Sequence, residues 1–147
     1  MKHPIFSVLL SLFTVNACAE PEPIQRISFP IANIQIADIK RQVQLADTPE
    51  LRERGLMFQQ SAEPGMLLLY PEPRFISLWM RNTDLALDVA FIDPQWRIIA
   101  IKPLHPLDET PVSTPAAALA ALEMPRGWFA KHNIEVGHTL TVIRYTN

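Results

Sequence analysis

Apolar and polar positions alternate with a period of two between residues 34 and 45, where Ile34, Ile36, Ile39, Val43 and Leu45 are interleaved with Gln35, Gln42 and Gln44. Alternation of this kind turns one side of an extended chain to a core and the other to water, so it predicts half-buried strands hairpinned near Ala37-Asp38. The period changes over residues 46–58. Thr48 can cap a helix, Pro49 suits its first position, Glu50 favours its positive end, and Gly55 closes it about two turns later. Residues 65–70, GMLLLY, run apolar between Pro64 and Pro71 and predict a strand buried on both faces. Residues 75–80 and 85–92 flank a polar bend, Arg81-Asn82-Thr83-Asp84, and read as the two arms of a hairpin, with Trp79 and Met80 entering the bend and Asp88 in the exit strand.

Further strands are predicted at residues 96–104 and 139–145. Between them, residues 103–115 hold Pro103, Pro106, Pro111 and Pro115 and predict an irregular surface loop. Residues 116–124 read two ways: alanine propensity favours a helix stopped by Pro125, and a split is open in which Ala121-Leu122-Glu123-Met124 is a strand. Residues 127–132 predict one helical turn burying Trp128 and Phe129. Several short strands and one or two short helices imply a mostly β domain, a compact antiparallel barrel or sandwich.

The amino-terminal residues follow a different logic. Lys2 precedes an apolar run over residues 5–15, too short to span a bilayer and placed as the hydrophobic region of a secretory signal. The expected organisation is a signal peptide at 1–19, an extended Pro-rich linker at 20–32 and a single β-rich domain at 33–147. Two processing readings stand. Ala17-Cys18-Ala19 fits cleavage after Ala19, whereas Val15-Asn16-Ala17-Cys18 resembles a lipoprotein box that would make Cys18 the lipidated first residue. Either places the mature chain outside the cytoplasm, periplasmic, secreted or lipid-anchored, with no transmembrane helix. Cleavage after Ala19 removes the chain's one cysteine, so the exported domain would fold without a disulfide.

Composition narrows the chemistry. A formal net charge of -2 over 147 residues gives no basic surface for nucleic acid. The histidines and the cysteine show no metal-ligand spacing, the serines have no nucleophile-elbow context, and 4 glycines form no phosphate loop. No metal or cofactor is expected. The candidate site is therefore polar and aromatic. Trp79 offers a stacking face, Asn82 and Thr83 donors and acceptors, and Asp88 an anionic acceptor, although Asn82 and Thr83 could equally shape the bend through backbone bonds. Glu123 lies in an apolar run and needs a partner if buried, with Arg54 or Arg81 as the expected bidentate cation.

The strings Ala46-Asp47-Thr48 with Glu50, Arg54-Gly55-Leu56-Met57-Phe58, Gly65-Met66-Leu67, Trp79-Met80-Arg81-Asn82-Thr83, Leu87-Asp88 with Phe91, Ala121-Leu122-Glu123 and Gly127-Trp128-Phe129 together resemble the bacterial and archaeal family called domain of unknown function 192. The resemblance spans roughly residues 42–142. It implies a compact, mostly β domain, often exported, and favours a strand at Ala121-Leu122-Glu123-Met124. It implies no activity. Three functions follow as expectations: binding of a ligand or envelope polymer such as a glycan at Trp79, Asn82, Asp88, Glu123 and neighbouring Arg54; an envelope hydrolase using Asp88 and Glu123 as a carboxylate pair; and an accessory protein docking on an envelope partner.

Overall fold

The structure, a computed structural model, describes residues 27–146. The expected signal peptide, Cys18 and the first part of the linker lie outside the described residues. The first strand begins at Ile31, inside the span read as linker.

Nine strands and two short helices follow: β1 (Ile31–Ile36), β2 (Ile39–Ala46), α1 (Pro49–Arg54), β3 (Met66–Arg74), β4 (Ser77–Leu78), β5 (Leu87–Ile92), β6 (Ile98–Leu104), β7 (Val112–Ser113), β8 (Ala118–Pro125), α2 (Trp128–Lys131) and β9 (Leu140–Thr146). Seven strands form one sheet in the order β6-β5-β8-β3-β2-β1-β9, and β4 pairs with β7 in a separate two-stranded sheet. All neighbours in the large sheet are antiparallel except β2 and β3, which run parallel because α1 and its exit loop carry the chain back. The sheet curls into a half-barrel. Its edge strands approach at one end, where Ile98 N–H donates to His138 O at 2.9 Å and Leu140 N–H to Trp96 O at 2.8 Å.

Strand alternation divides the core into two layers. One cluster, with Ile34, Val43, Leu67, Ala90, Leu122, Ile98 and Leu140, draws on all seven strands and fills the concave side; Trp128 and Phe129 of α2 plug it. The other, with Met66, Leu68, Val89, Phe91 and Ala121, lies on the convex side beneath Leu56, Ile76, Leu78 and Met80. The covering layer is built from the connections β2–β3, β3–β5 and β6–β8. Its α1 is capped as the residue types dictate: Thr48 Oγ1 accepts from Leu51 N–H at 3.2 Å, and Gly55 leaves the helix at φ 48° with its N–H on Leu51 O at 2.9 Å.

One expectation is corrected. Residues 75–80 and 85–92 are not a hairpin. β4 pairs with β7, and β5 pairs with β6 and β8. The proline-rich stretch supplies what the hairpin arm would have supplied: Met80 N–H donates to Asp108 O at 2.8 Å, Leu107 N–H to Thr83 O at 3.0 Å and Thr114 N–H to Ile76 O at 2.9 Å. Of the two readings of the alanine run, the strand favoured by the family resemblance is the one that forms. From Ala118 it is the central strand β8, between β3 and β5, where small side chains let both core layers approach the sheet.

Candidate functional site

Glu123 is the one buried charged residue among the described residues, 7% exposed. β8 puts it in register with Met66 of β3 and Val89 of β5, on the convex side with Ala121. Its backbone is fully used by the sheet, so a central strand holds the side chain in place. Among the described residues no hydrogen bond or ion pair reaches its carboxylate; the ion pairs there are Arg41–Glu63 and Arg126–Asp88. Burial strips water from the charged form with no cation to offset it, and the pKa rises from 4.5 to about 7. This corrects the expected pairing of Glu123 with Arg54 or Arg81.

The carboxylate faces a cavity of about 200 Å³ between the convex side of the sheet and the covering layer. α1 contributes Arg52, Glu53 and Arg54; β3 contributes Leu68 and Tyr70; the bend contributes Trp79, Met80 and Thr83. Arg52 is anchored through one nitrogen, Nη1, which donates to Asp47 O at 2.6 Å and Leu69 O at 2.7 Å, while its guanidinium carbon lies 4.7 Å from the Tyr70 ring centroid. Burial pushes the Tyr70 phenol up, against the opposing pull of Arg52 and Arg74. Arg54 makes no hydrogen bond or ion pair among the described residues, and its guanidinium lies 4.7 Å from the Phe58 ring centroid. Trp79 is 45% exposed at the mouth, with the Arg81 guanidinium 5.5 Å from its ring centroid.

The bend is built by backbone geometry. Asn82 sits at φ 55°, Thr83 N–H closes the turn on Met80 O at 3.1 Å, and Asn82 O accepts from Phe58 N–H at 2.9 Å. Thr83 is buried, its hydroxyl donating to Arg81 O at 3.2 Å. Asn82 faces a neighbouring shallow groove that shares Arg54, Met57 and Trp79 with the cavity. Of the residues singled out from sequence, Glu123, Thr83, Trp79 and Arg54 thus line one cavity and Asn82 lies beside it.

Asp88 does not join them. It is one residue out of phase with Val89 and so projects from the opposite side of β5. There Arg126 Nε lies 2.9 Å from Oδ1, and Gly127 N–H donates to Oδ2 at 2.7 Å. A carboxylate with two such partners holds the β8–α2 corner, and the Asp88–Glu123 pair on which a hydrolase would rest is not assembled. Sequence reasoning also missed Arg52, Met57 and Tyr70. Thr48 was the available signal for the first, since a helix starting there presents Arg52 to the sheet; Tyr70, the first polar-tipped residue after a buried run, was the signal for the last. Among the described residues no cluster of three or more His, Cys, Asp or Glu could hold a metal ion, and no helix is long and apolar enough to cross a membrane.

The model of the family called domain of unknown function 192, described as an uncharacterized ACR, matches residues 32–142. The chain belongs to this family. Its matched span holds every residue of the cavity. A crystal structure of a candidate transcription regulator from Sinorhizobium meliloti 1021 is similar to this domain of unknown function 192 protein at a TM-score of 0.75 and 28% identity, covering 79% of this chain and 96% of the other. A protein of unknown function from Novosphingobium aromaticivorans DSM 12444 is similar at a TM-score of 0.69 and 27% identity, covering 89% and 99%. No curated protein matches the sequence.

Proposed function

We propose that this chain is an exported domain that binds a small polar ligand, a glycan end or another cell-envelope component, in the cavity over Glu123. One observation carries the reading: a carboxylate is buried without a partner and faces open space. An isolated charge in that position costs stability, and a protein keeps such a group where a ligand completes it. The walls suit the task. Tyr70 and Trp79 bring aromatic rings, Thr83 and Ser77 bring hydroxyl groups, and the volume admits a single ring or short chain. Export rests on the apolar run after Lys2 and the small residues at Ala17 and Ala19.

The test is titration of the purified mature domain with cell-wall fragments and small envelope solutes, read by tryptophan fluorescence and thermal shift, beside Glu123→Gln and Trp79→Phe. Saturable binding lost in Glu123→Gln supports the reading; no response to any fraction refutes it. Mass spectrometry of the exported product tests the compartment, with a mature chain starting at Glu20 or a lipidated Cys18 as the two supporting results and an intact Met1 in the cytoplasm as the refuting one.

A second reading, an accessory protein docking on an envelope partner, draws on the exposed Phe58, Trp79 and Leu107. Phe58 and Leu107 are tied by backbone bonds to Asn82 and Thr83, so these side chains border the same bend and its cavity. A pull-down that survives Glu123→Gln and fails with Phe58→Ser would favour it.

A further inference from the structure

The cavity holds unsatisfied charge of both signs. Glu123, on the floor, has no donor. At the walls Arg54 has no acceptor, and Arg52 leaves Nε and Nη2 without one among the described residues. Arginine and carboxylate that line one small cavity would ordinarily meet, because a direct charge-assisted bond recovers much of what burial costs. Here they stay apart by more than ion-pair distance. The space between them is about 200 Å³. That lies below the roughly 300–1,000 Å³ of sites for drug-sized ligands and fits a molecule of amino-acid size.

We infer that the ligand is a small zwitterion of the α-amino acid class, its ammonium group on Glu123, its carboxylate toward Arg52 and Arg54, and its side chain against Leu68, Met57 and Met80. The assignment rests on the proposed binding function and sharpens it. An ammonium supplies the donors and positive charge that Glu123 lacks; a carboxylate supplies the acceptors that the arginines lack. A neutral sugar would satisfy neither charge, and a simple amine would leave the arginines as they are. Leu68, Met57 and Met80 line the same cavity and give an amino-acid side chain apolar wall to pack on.

The inference carries a pH dependence. The charged and titratable groups facing Glu123 across the cavity are Arg52, Glu53 and Arg54 of α1 and Tyr70 of β3; β4, β5 and the bend contribute none. Glu123, held near 7 by burial, therefore ionises in the range where free amino acids keep their ammonium proton. Binding to the ionised form strengthens about tenfold from pH 6 to pH 8, following the ionised fraction.

The experiment is a thermal-shift screen of the mature domain against free L- and D-amino acids, then calorimetry of the best ligand at pH 6 and pH 8. Its N-acetyl and carboxamide derivatives and N-acetylglucosamine are run alongside. Expected are at least tenfold weaker binding of the N-acetyl derivative, weaker binding of the carboxamide, rising affinity with pH, and at least tenfold loss in Glu123→Gln. If the carboxamide binds as well as the free acid, the carboxylate is not recognised, the assigned role of the arginines is wrong and the inference is overturned. Equal binding of the N-acetyl derivative, or affinity that falls with pH, overturns the inference. Binding of N-acetylglucosamine and no amino acid overturns it while leaving the proposed function standing; binding of none of these or any envelope fraction removes both.

Discussion

Replacing Glu123 with glutamine keeps the shape of the neutral acid and deletes its ionisation. The consequence for stability follows from the pKa. Below pH 4.5 the carboxyl is protonated folded and unfolded, and burial carries no ionic penalty. Between 4.5 and about 7 the unfolded chain releases the proton and regains hydration while the folded chain keeps it, so stability falls as pH rises. Above 7 both forms are ionised and the full penalty remains. Each pH unit between the two values is worth about 1.4 kcal/mol, which gives about 3 kcal/mol for the rise from 4.5 to about 7. That is a large share of the roughly 5–15 kcal/mol that holds a domain together. Guanidinium unfolding of wild type and Glu123→Gln at pH 4.5, 6 and 8.5 reads it, since every other carboxylate titrates alike in both chains. The stability of Glu123→Gln relative to wild type should rise by about 3 kcal/mol from the lowest to the highest pH. A flat difference, or a variant less stable at pH 8.5, would refute the reasoning: the carboxylate would then have a cation or donor that stabilises its charge.

Two further perturbations test the frame around the site. Gly65 sits at φ 99°, and a Cβ there would strike Met124 Sδ and press on Glu123 O; Gly65→Ala should cost about 2 kcal/mol or more in denaturant unfolding, and a cost under about 0.5 would show that β3 and β8 are not packed as described. Asp88→Asn removes the charge facing Arg126 and weakens the bond from Gly127 N–H; the partly exposed pair sets the loss at about 1–2 kcal/mol, with ligand binding in the cavity unchanged. A large loss of binding in a folded Asp88→Asn would return Asp88 to the site.

Much of the fold was legible because it is local. The β1–β2 hairpin turns at Ala37, α1 runs from Pro49 to its Gly55 cap, and α2 buries Trp128 and Phe129, each encoded within a few neighbouring residues. What failed was pairing at a distance. Residues 75–92 carry a strand pattern with a turn in the middle, which cannot reveal that the first arm is completed by residues 108–114 and the second by β6 and β8. The alanines of β8 speak for helix by propensity, and tertiary packing overrides it in the middle of the sheet. Glu123 was conspicuous as a charge in an apolar run, but its lack of a partner depends on where Arg54 of α1 and Arg81 of the bend end up. Asp88 looked equivalent to Glu123 until the register placed them on opposite sides of neighbouring strands.

That Glu123 is buried, unpaired and open to the cavity is tested most directly by its own titration. With ¹³C-labelled glutamate, the side-chain carboxyl resonance absent from Glu123→Gln can be followed from pH 4 to pH 9 in the ligand-free domain. A midpoint near 7, moving down when a ligand ammonium binds, is the predicted result. A midpoint at or below 4.5, insensitive to every ligand, would mean a solvated or already paired carboxylate and would contradict the account.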